Sequence, residues 1–255
     1  MSRSLALTAL PGIGEIESGA DLSQVIAAAL RASGAAITEQ SVIVVAQKIV
    51  SKAEGRLVLL DDVEPSARAL ELAAVCGKQP ALVEMVLREA SEVLRVRPNV
   101  LIVRHRLGYV LANAGIDQSN VCAADGRPVC LLLPLDPEAS AHRIREGLAE
   151  SFDPAPAVIV SDSFGRPWRR GVVNVALGSS GLPALVDCRG KTDRYGRPLQ
   201  VTEVALADAL AAAAGLVMGE ADQGTPVVLI TGVAWSAAQV GAASLVRPLA
   251  DDLFR

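Results

Sequence analysis

Aromatic side chains supply only 3% of this 255-residue chain, although 51% of it is apolar. Large rings are thereby excluded as the main filling of the interior, which has to be assembled from Ala, Val, Leu and Ile packed through close backbone approaches. Alternating strands and Ala-rich helices suit that inventory, and the length suffices to bury a substantial core. An excess of positive charge is also missing, since the formal net charge is −4. Without a global attraction to polyanions, neither nucleic acid nor an anionic membrane is expected as a partner, although local basic patches can still hold phosphate. Cys76, Cys122, Cys130 and Cys188 form no C-x-x-C pair and no zinc-like spacing with the two histidines. Buried free thiols in a reducing cytoplasm are the expectation. The first apolar stretch is cut by Pro11 and Gly12 and followed by Glu15 and Glu17, so no secretory leader is expected.

One long run lacks charge altogether, from residue 223 to residue 246. A membrane span needs about 20 mainly apolar residues. Gly224, Pro226, Thr231, Gly232, Ser236, Gln239 and Gly241 instead divide the run into a buried strand at 227–230, a turn and a small-residue helix. Elsewhere residues 5–10 read as a strand ended by a Pro-Gly turn. Asp21 offers an N-cap to a helix reaching Arg31, with Gly34 closing it. The β-branched run at 41–46 suits a strand covered on both faces. Helices are expected at 65–76 and 80–90, each with a proline in its first turn. Strands at 93–96, 100–104 and 110–112 would deliver the loop NAGIDQSN. A second series follows: helix 137–151, strand 157–160, charged loop 161–171, strands 172–177 and 184–186, a helix from a Thr202 cap to Met218, and strand 226–231. The fold class is α/β, or mixed α+β, with mixed sheets in two interlocked lobes and neither a P-loop nor a Rossmann fold.

The standard phosphate motifs are indeed broken. Gly12-x-Gly14 is followed by Glu17 where a dinucleotide fingerprint needs glycine, and Gly190-Lys191-Thr192 lacks the leading glycine because Leu185 stands there. What remains is three acids in three loops: Asp117 in NAGIDQSN, Asp162 in SDSFGRPWRRG and Glu220 in MGEADQGTP. Hard divalent cations take a few carboxylate oxygens plus substrate phosphates, which such loops can supply at strand ends. Each acid alone is more often a turn residue or helix cap than a ligand. Arg166, Arg169 and Arg170 around Trp168 suit bidentate recognition of phosphate or carboxylate, or else form a solvated turn with Trp168 as packing anchor. Lys48 and Lys52 are four apart, so one helical turn would put both ammonium groups on one face. His105 and His142 are expected to be surface or structural residues, since no Ser/His or Cys/His nucleophile arrangement is visible.

Taken together, LPGI, VVAQKIVSKAEG, NAGIDQSN, SDSFGRPWRRG, the series Asp187…Asp193-x-x-Gly196-x-x-Leu199-x-x-Thr202, and MGEADQGTPV resemble the coenzyme F420-0:L-glutamate ligase family, in the same order over nearly the whole chain. The resemblance implies GTP-dependent addition of L-glutamate to F420-0, a deazaflavin, and γ-linked extension of the tail. It puts nucleotide contacts on Leu10, Pro11, Gly12, Ile13, Gln47, Lys48, Lys52, Asn120, Met218, Gly219, Glu220, Ala221, Asp222, Gln223, Gly224 and Thr225. It puts metal ligands on Asp117, Asp162, Ser163 and Glu220, for two ions of Mg²⁺ or Mn²⁺ with K⁺ as an accessory. Ser163 stands where the family pattern has threonine, which keeps the hydroxyl. A cytoplasmic homodimer without the nitroreductase-like C-terminal domain of some members is implied as well. The chemistry of such a ligase needs no covalent nucleophile: γ-phosphoryl transfer activates a carboxylate as an acyl phosphate, helped by cations, for which Lys48, Lys52, Arg166 and Arg169 are the catalytic candidates. Ligation to another carboxylate, phosphotransfer, and a non-enzymatic nucleotide-binding module remain open alternatives.

Overall fold

The computed structural model describes residues 4–123, 125–235 and 240–252. In chain order the strands and helices are β1 (Ala6–Ala9), α1 (Leu22–Ser33), β2 (Val42–Ala46), α2 (Gln47–Ala53), β3 (Leu57–Leu59), α3 (Ala67–Cys76), α4 (Pro80–Glu89) and β4 (Ala90–Arg97). They continue with β5 (Val100–His105), β6 (Val110–Ala112), β7 (Val129–Leu131), α5 (Pro137–Ala149), β8 (Ala157–Gly165), β9 (Val172–Ser180), β10 (Leu185–Asp187), β11 (Glu203–Ala205), α6 (Leu206–Met218) and β12 (Val227–Thr231). The architecture is mixed α/β, as the alternation of apolar runs predicts.

The central sheet has the order β1-β12-β2-β8-β9, and only β2 and β8 run parallel. Its middle strands are apolar on both faces because both are covered. Ile43, Val45, Val158, Val160, Val227 and Leu229 pack beneath α1 and α5, whereas Val42, Val44, Ile159, Val228 and Ile230 pack against α6. Each such side chain contributes roughly 2 kcal/mol by leaving water. Helix α5 lies directly on β9: a methyl group at Gly178 would stand 2.1 Å from the Pro137 carbonyl oxygen.

A separate apolar cluster joins α3, α4 and the β4-β5-β6 sheet through Leu72, Val83, Val86, Leu101 and Val103. Its polar anchor is Glu89, which accepts from Arg56 Nη2 (3.0 Å), Arg106 Nε (3.3 Å) and His105 Nε2 (3.3 Å). His105 Nδ1 accepts from the Leu107 amide at 3.0 Å, which fixes the proton on Nε2. Burial alone would raise the Glu89 carboxyl, but His105 and the guanidinium groups hold it down to about 2. His105 is thus structural, as expected, and His142 lies on the surface.

Several expectations are corrected. The segment 161–171 is not all loop, because β8 runs on to Gly165 and pairs with β9 around a bulge at Ser161. Trp168 is no packing anchor, being 89% exposed at the hairpin tip. Ser66, not Pro65, opens α3 by accepting from the Ala69 amide. Thr202 does not cap α6: the backbone first pairs as β11 with β10, and the helix starts at Leu206. Only two cysteines are buried; Cys122 is exposed and Cys188 intermediate. The small-residue helix expected near the C-terminus falls partly outside the described residues, and its described part is a short 3₁₀ turn at Ala242–Leu245. No helix among the described residues is long and apolar enough to cross a membrane.

Candidate active site

The register of the central sheet brings four chain segments to one edge. Ala46 at the end of β2 faces Ser161 on β8, Val45 faces Val227 at the start of β12, and Val228 faces Ala9 at the end of β1. The outgoing ends of β1 and β2, the bulged middle of β8 and the incoming end of β12 therefore converge, and ligand clefts in α/β sheets form at such strand ends. A cavity of about 500 Å³ opens there, a volume ordinary for a small-molecule site.

Its walls come from most of the segments singled out in the sequence. Gln47, Lys48 and Lys52 on α2, Asn120, Asp162, Ser163 and the run Met218, Gly219, Glu220, Ala221, Asp222, Gln223, Gly224 and Thr225 all line it. Ile13 lines it too, but Leu10 is buried in the core and its amide bonds the Val227 carbonyl, while Pro11 and Gly12 are exposed and lie outside the wall. Gly14, Glu15 and Ile16 take the place next to Ile13. Arg166 and Arg169 do not reach the wall: Arg166 Nη2 donates to the Arg170 carbonyl at 2.9 Å in the hairpin tip, and Arg169 is exposed.

The acids approach each other from three elements. Asp117, held in a bridge to Leu131, accepts from Lys48 Nζ at 2.6 Å and from Gln47 Nε2 at 3.3 Å. Lys52 pairs with Glu15 at 2.5 Å, so each lysine of α2 already has a carboxylate partner. Asp162 lines the cavity beside them, partly buried. Burial pushes its carboxyl up to about 7, with the negative charges of Asp117 and Glu220 adding to the rise while the Ser163 amide and Lys48 oppose it. The loop after α6 is shaped by Gly219, whose φ is +78° and whose missing side chain leaves room for Gln223. Gln223 Oε1 in turn accepts from the Ala221 amide at 2.9 Å. Asn120 Nδ2 donates to the Ala221 carbonyl at 3.0 Å, tying the Asp117 loop to the Glu220 loop.

On the β8–β9 ribbon two lining residues, Ser161 and Asn174, lay outside the site expected from the sequence. Ser161 is 1% exposed and its Oγ has no hydrogen-bond partner, and Asn174 on β9 stands opposite Ser163. A signal existed in Ser161, a polar residue directly continuing the apolar run of β8.

Carboxylate oxygens, the hard donors that divalent cations take, outnumber the cationic groups on the wall. Four carboxylates (Glu15, Asp162, Glu220, Asp222) line the cavity against two ammonium groups, Lys48 and Lys52, and Asp117 stands behind Lys48. Among the described residues no three His, Cys, Asp or Glu side chains close on one point. Mg²⁺ is commonly held by only one or two carboxylates, with phosphate and water completing its shell.

Fold and cavity define a mixed α/β protein with a carboxylate-lined small-molecule site at the open edge of its sheet. The sequence matches the family described as F420-0:Gamma-glutamyl ligase over residues 12–232, and the chain belongs to that family. It is 44% identical to the coenzyme F420:L-glutamate ligase of Methanothermobacter thermautotrophicus over 253 residues, covering 98% of this chain and 99% of the relative. The enzyme of the same name from Methanopyrus kandleri is 46% identical over 230 residues (90% and 88% covered). That of Halobacterium salinarum is 46% identical over 228 residues (87% and 85%).

Proposed function

We propose that this chain uses GTP to join L-glutamate to the carboxylate of coenzyme F420-0 and then extends the tail through γ-linkages. Family membership supports the ligation. The observation that carries the chemistry is the gathering of Asp162, Ser163 and Glu220 with Lys48 and Lys52 on one cavity wall, with Asp117 behind Lys48. A cavity richer in carboxylates than in ammonium groups repels a triphosphate unless cations come with it.

Mg²⁺ or Mn²⁺, when bound, would neutralise phosphate charge, and Asp117, Asp162, Ser163 and Glu220 are the residues that would hold such ions. Lys48 and Lys52 supply ammonium groups on the same wall to offset nucleotide charge, and the 218–225 loop offers its backbone to the nucleotide. An oxygen of the acceptor carboxylate attacks the γ-phosphorus, the bond to the β-phosphate oxygen breaks, and GDP leaves. The deprotonated amine of glutamate then attacks the acyl phosphate carbon, and inorganic phosphate departs. No side chain forms a covalent bond in either step. The cytoplasmic homodimer belongs to the same proposal: Leu216, 82% exposed, and Val217 on α6 give apolar surface for it, and sedimentation of the purified protein tests it.

Incubation of the purified chain with GTP, Mg²⁺ or Mn²⁺, L-glutamate and F420-0 is expected to release GDP and to add glutamyl units to the coenzyme, read by mass spectrometry. Intact coenzyme and no mass gain would overturn the reading.

A further inference from the structure

A second cavity, of about 290 Å³, lies beside β8 and outside the site described above. Its walls include the rings of Tyr109 and Phe164, the side chains of Arg104 and Arg247, Asp208 and Val246. The rings are fixed. Tyr109 Oη donates to the Leu177 carbonyl at 2.8 Å, and Phe164 meets Tyr109 edge to face with centroids 5.8 Å apart. In a chain with 3% aromatic residues, two of its rings at one cavity form a concentrated flat-surface binding element. The polar groups carry both hydrogen-bonding senses: the arginines donate, and Asp208, which accepts from the Ala176 amide at 2.9 Å, offers a carboxylate. Arg104 is shared with Glu92 at 3.4 Å, whereas Arg247 lies on the exposed rim. Aromatic walls with donors and acceptors together suit a planar heterocycle whose edge bears carbonyl oxygens and N–H groups.

The position relates this cavity to the first. Phe164 follows Asp162 by two residues on β8, past the bulge, and their cross-strand partners Val173 and Val175 are likewise two apart. The two side chains therefore leave the same face of the ribbon, about 7 Å apart along the strand. A ring held against Phe164 has its substituent chain within short reach of the acids.

We infer that the Tyr109–Phe164 cavity binds the planar heterocycle of the acceptor, while the 500 Å³ cavity takes the nucleotide. The inference rests on the ligase reading for the identity of the acceptor. The same chemistry is offered by a guanine base, so the test has an arm for each.

Calorimetric titration of the full chain with F420-0 and, separately, with GTP and Mg²⁺ decides it. Phe164→Leu keeps apolar volume and removes the ring; Arg247→Gln changes an exposed rim residue and leaves packing intact. Each is expected to raise the Kd for F420-0 about three- to tenfold, with the KM for F420-0 following, and to leave GTP affinity within about twofold. Unchanged F420-0 affinity in both variants overturns the proposal, as does weakened GTP binding in its place. Normal turnover with unchanged coenzyme binding sinks the ring site alone. Absent turnover in the parent chain, with coenzyme binding still weakened by both variants, sinks the ligase reading and leaves the ring site standing.

Discussion

Replacing Asp162 with asparagine should make the metal-free protein more stable while ending its activity. In the fold the carboxyl is pushed up to about 7 from an ordinary 3.8, by burial first and then by Asp117 and Glu220. A group whose folded pKa is raised binds its proton more tightly in the native state, so stability is lost as pH rises from about 4 to 7. Applying the linkage relation to those two values, ionised Asp162 costs about 2 kcal/mol at pH 5 and about 4 at pH 8, as upper bounds. Asparagine keeps an oxygen for the Ser163 amide and removes the charge. In chelator, urea unfolding should therefore show the variant gaining on the parent by about 1–3 kcal/mol between pH 5 and pH 8. Divalent cation with GTP should stabilise the parent more than the variant, and turnover of the variant should fall at least about a hundredfold, as when a transition-state charge partner is removed. A difference between the two proteins that does not vary with pH would refute the reasoning, and near-normal turnover would remove Asp162 from the site.

Three further outcomes follow from named contacts. Lys48→Met strips the ammonium that lies 2.6 Å from Asp117; GTP affinity should fall about tenfold, as for loss of a charge-assisted contact, in a nucleotide titration. Glu89→Gln should destabilise the protein by about 3 kcal/mol, because it leaves Arg56 and Arg106 without their buried counter-charge. The parent should lose that same contribution in acid as pH falls from about 4.5 toward about 2, where Glu89 titrates, and the glutamine variant should not. Gly178→Ala sets a methyl against the Pro137 carbonyl and should cost about 3 kcal/mol in urea unfolding.

Apolar periodicity made the central sheet legible, because β2, β8 and β12 are covered on both faces and so carry unbroken β-branched runs. The end of β8 was hidden for the opposite reason. Ser161, Asp162 and Ser163 are polar since they border a cavity, yet the backbone from Ser161 to Gly165 pairs with β9 as any strand does. Backbone pairing likewise overrode a plausible threonine cap before α6. The spacing of Lys48 and Lys52 correctly predicts a helical turn, but their partners Asp117 and Glu15 come from elsewhere in the chain and no local pattern signals them. The arginines of the hairpin tip show the limit of composition: a basic cluster after a buried strand looks like a phosphate clamp, and the geometry of β8 and β9 carries it past the cavity wall.

The contacts that assemble the cavity join residues far apart along the chain: Lys48 to Asp117 across 69 positions and Asn120 to Ala221 across 101. Closing such loops is the slow and entropically costly part of folding. Neither the central sheet nor the α3–α4 assembly owns a complete site, so a nascent or half-melted chain has no assembled cavity, and activity should vanish in mild denaturant before either apolar cluster opens to solvent.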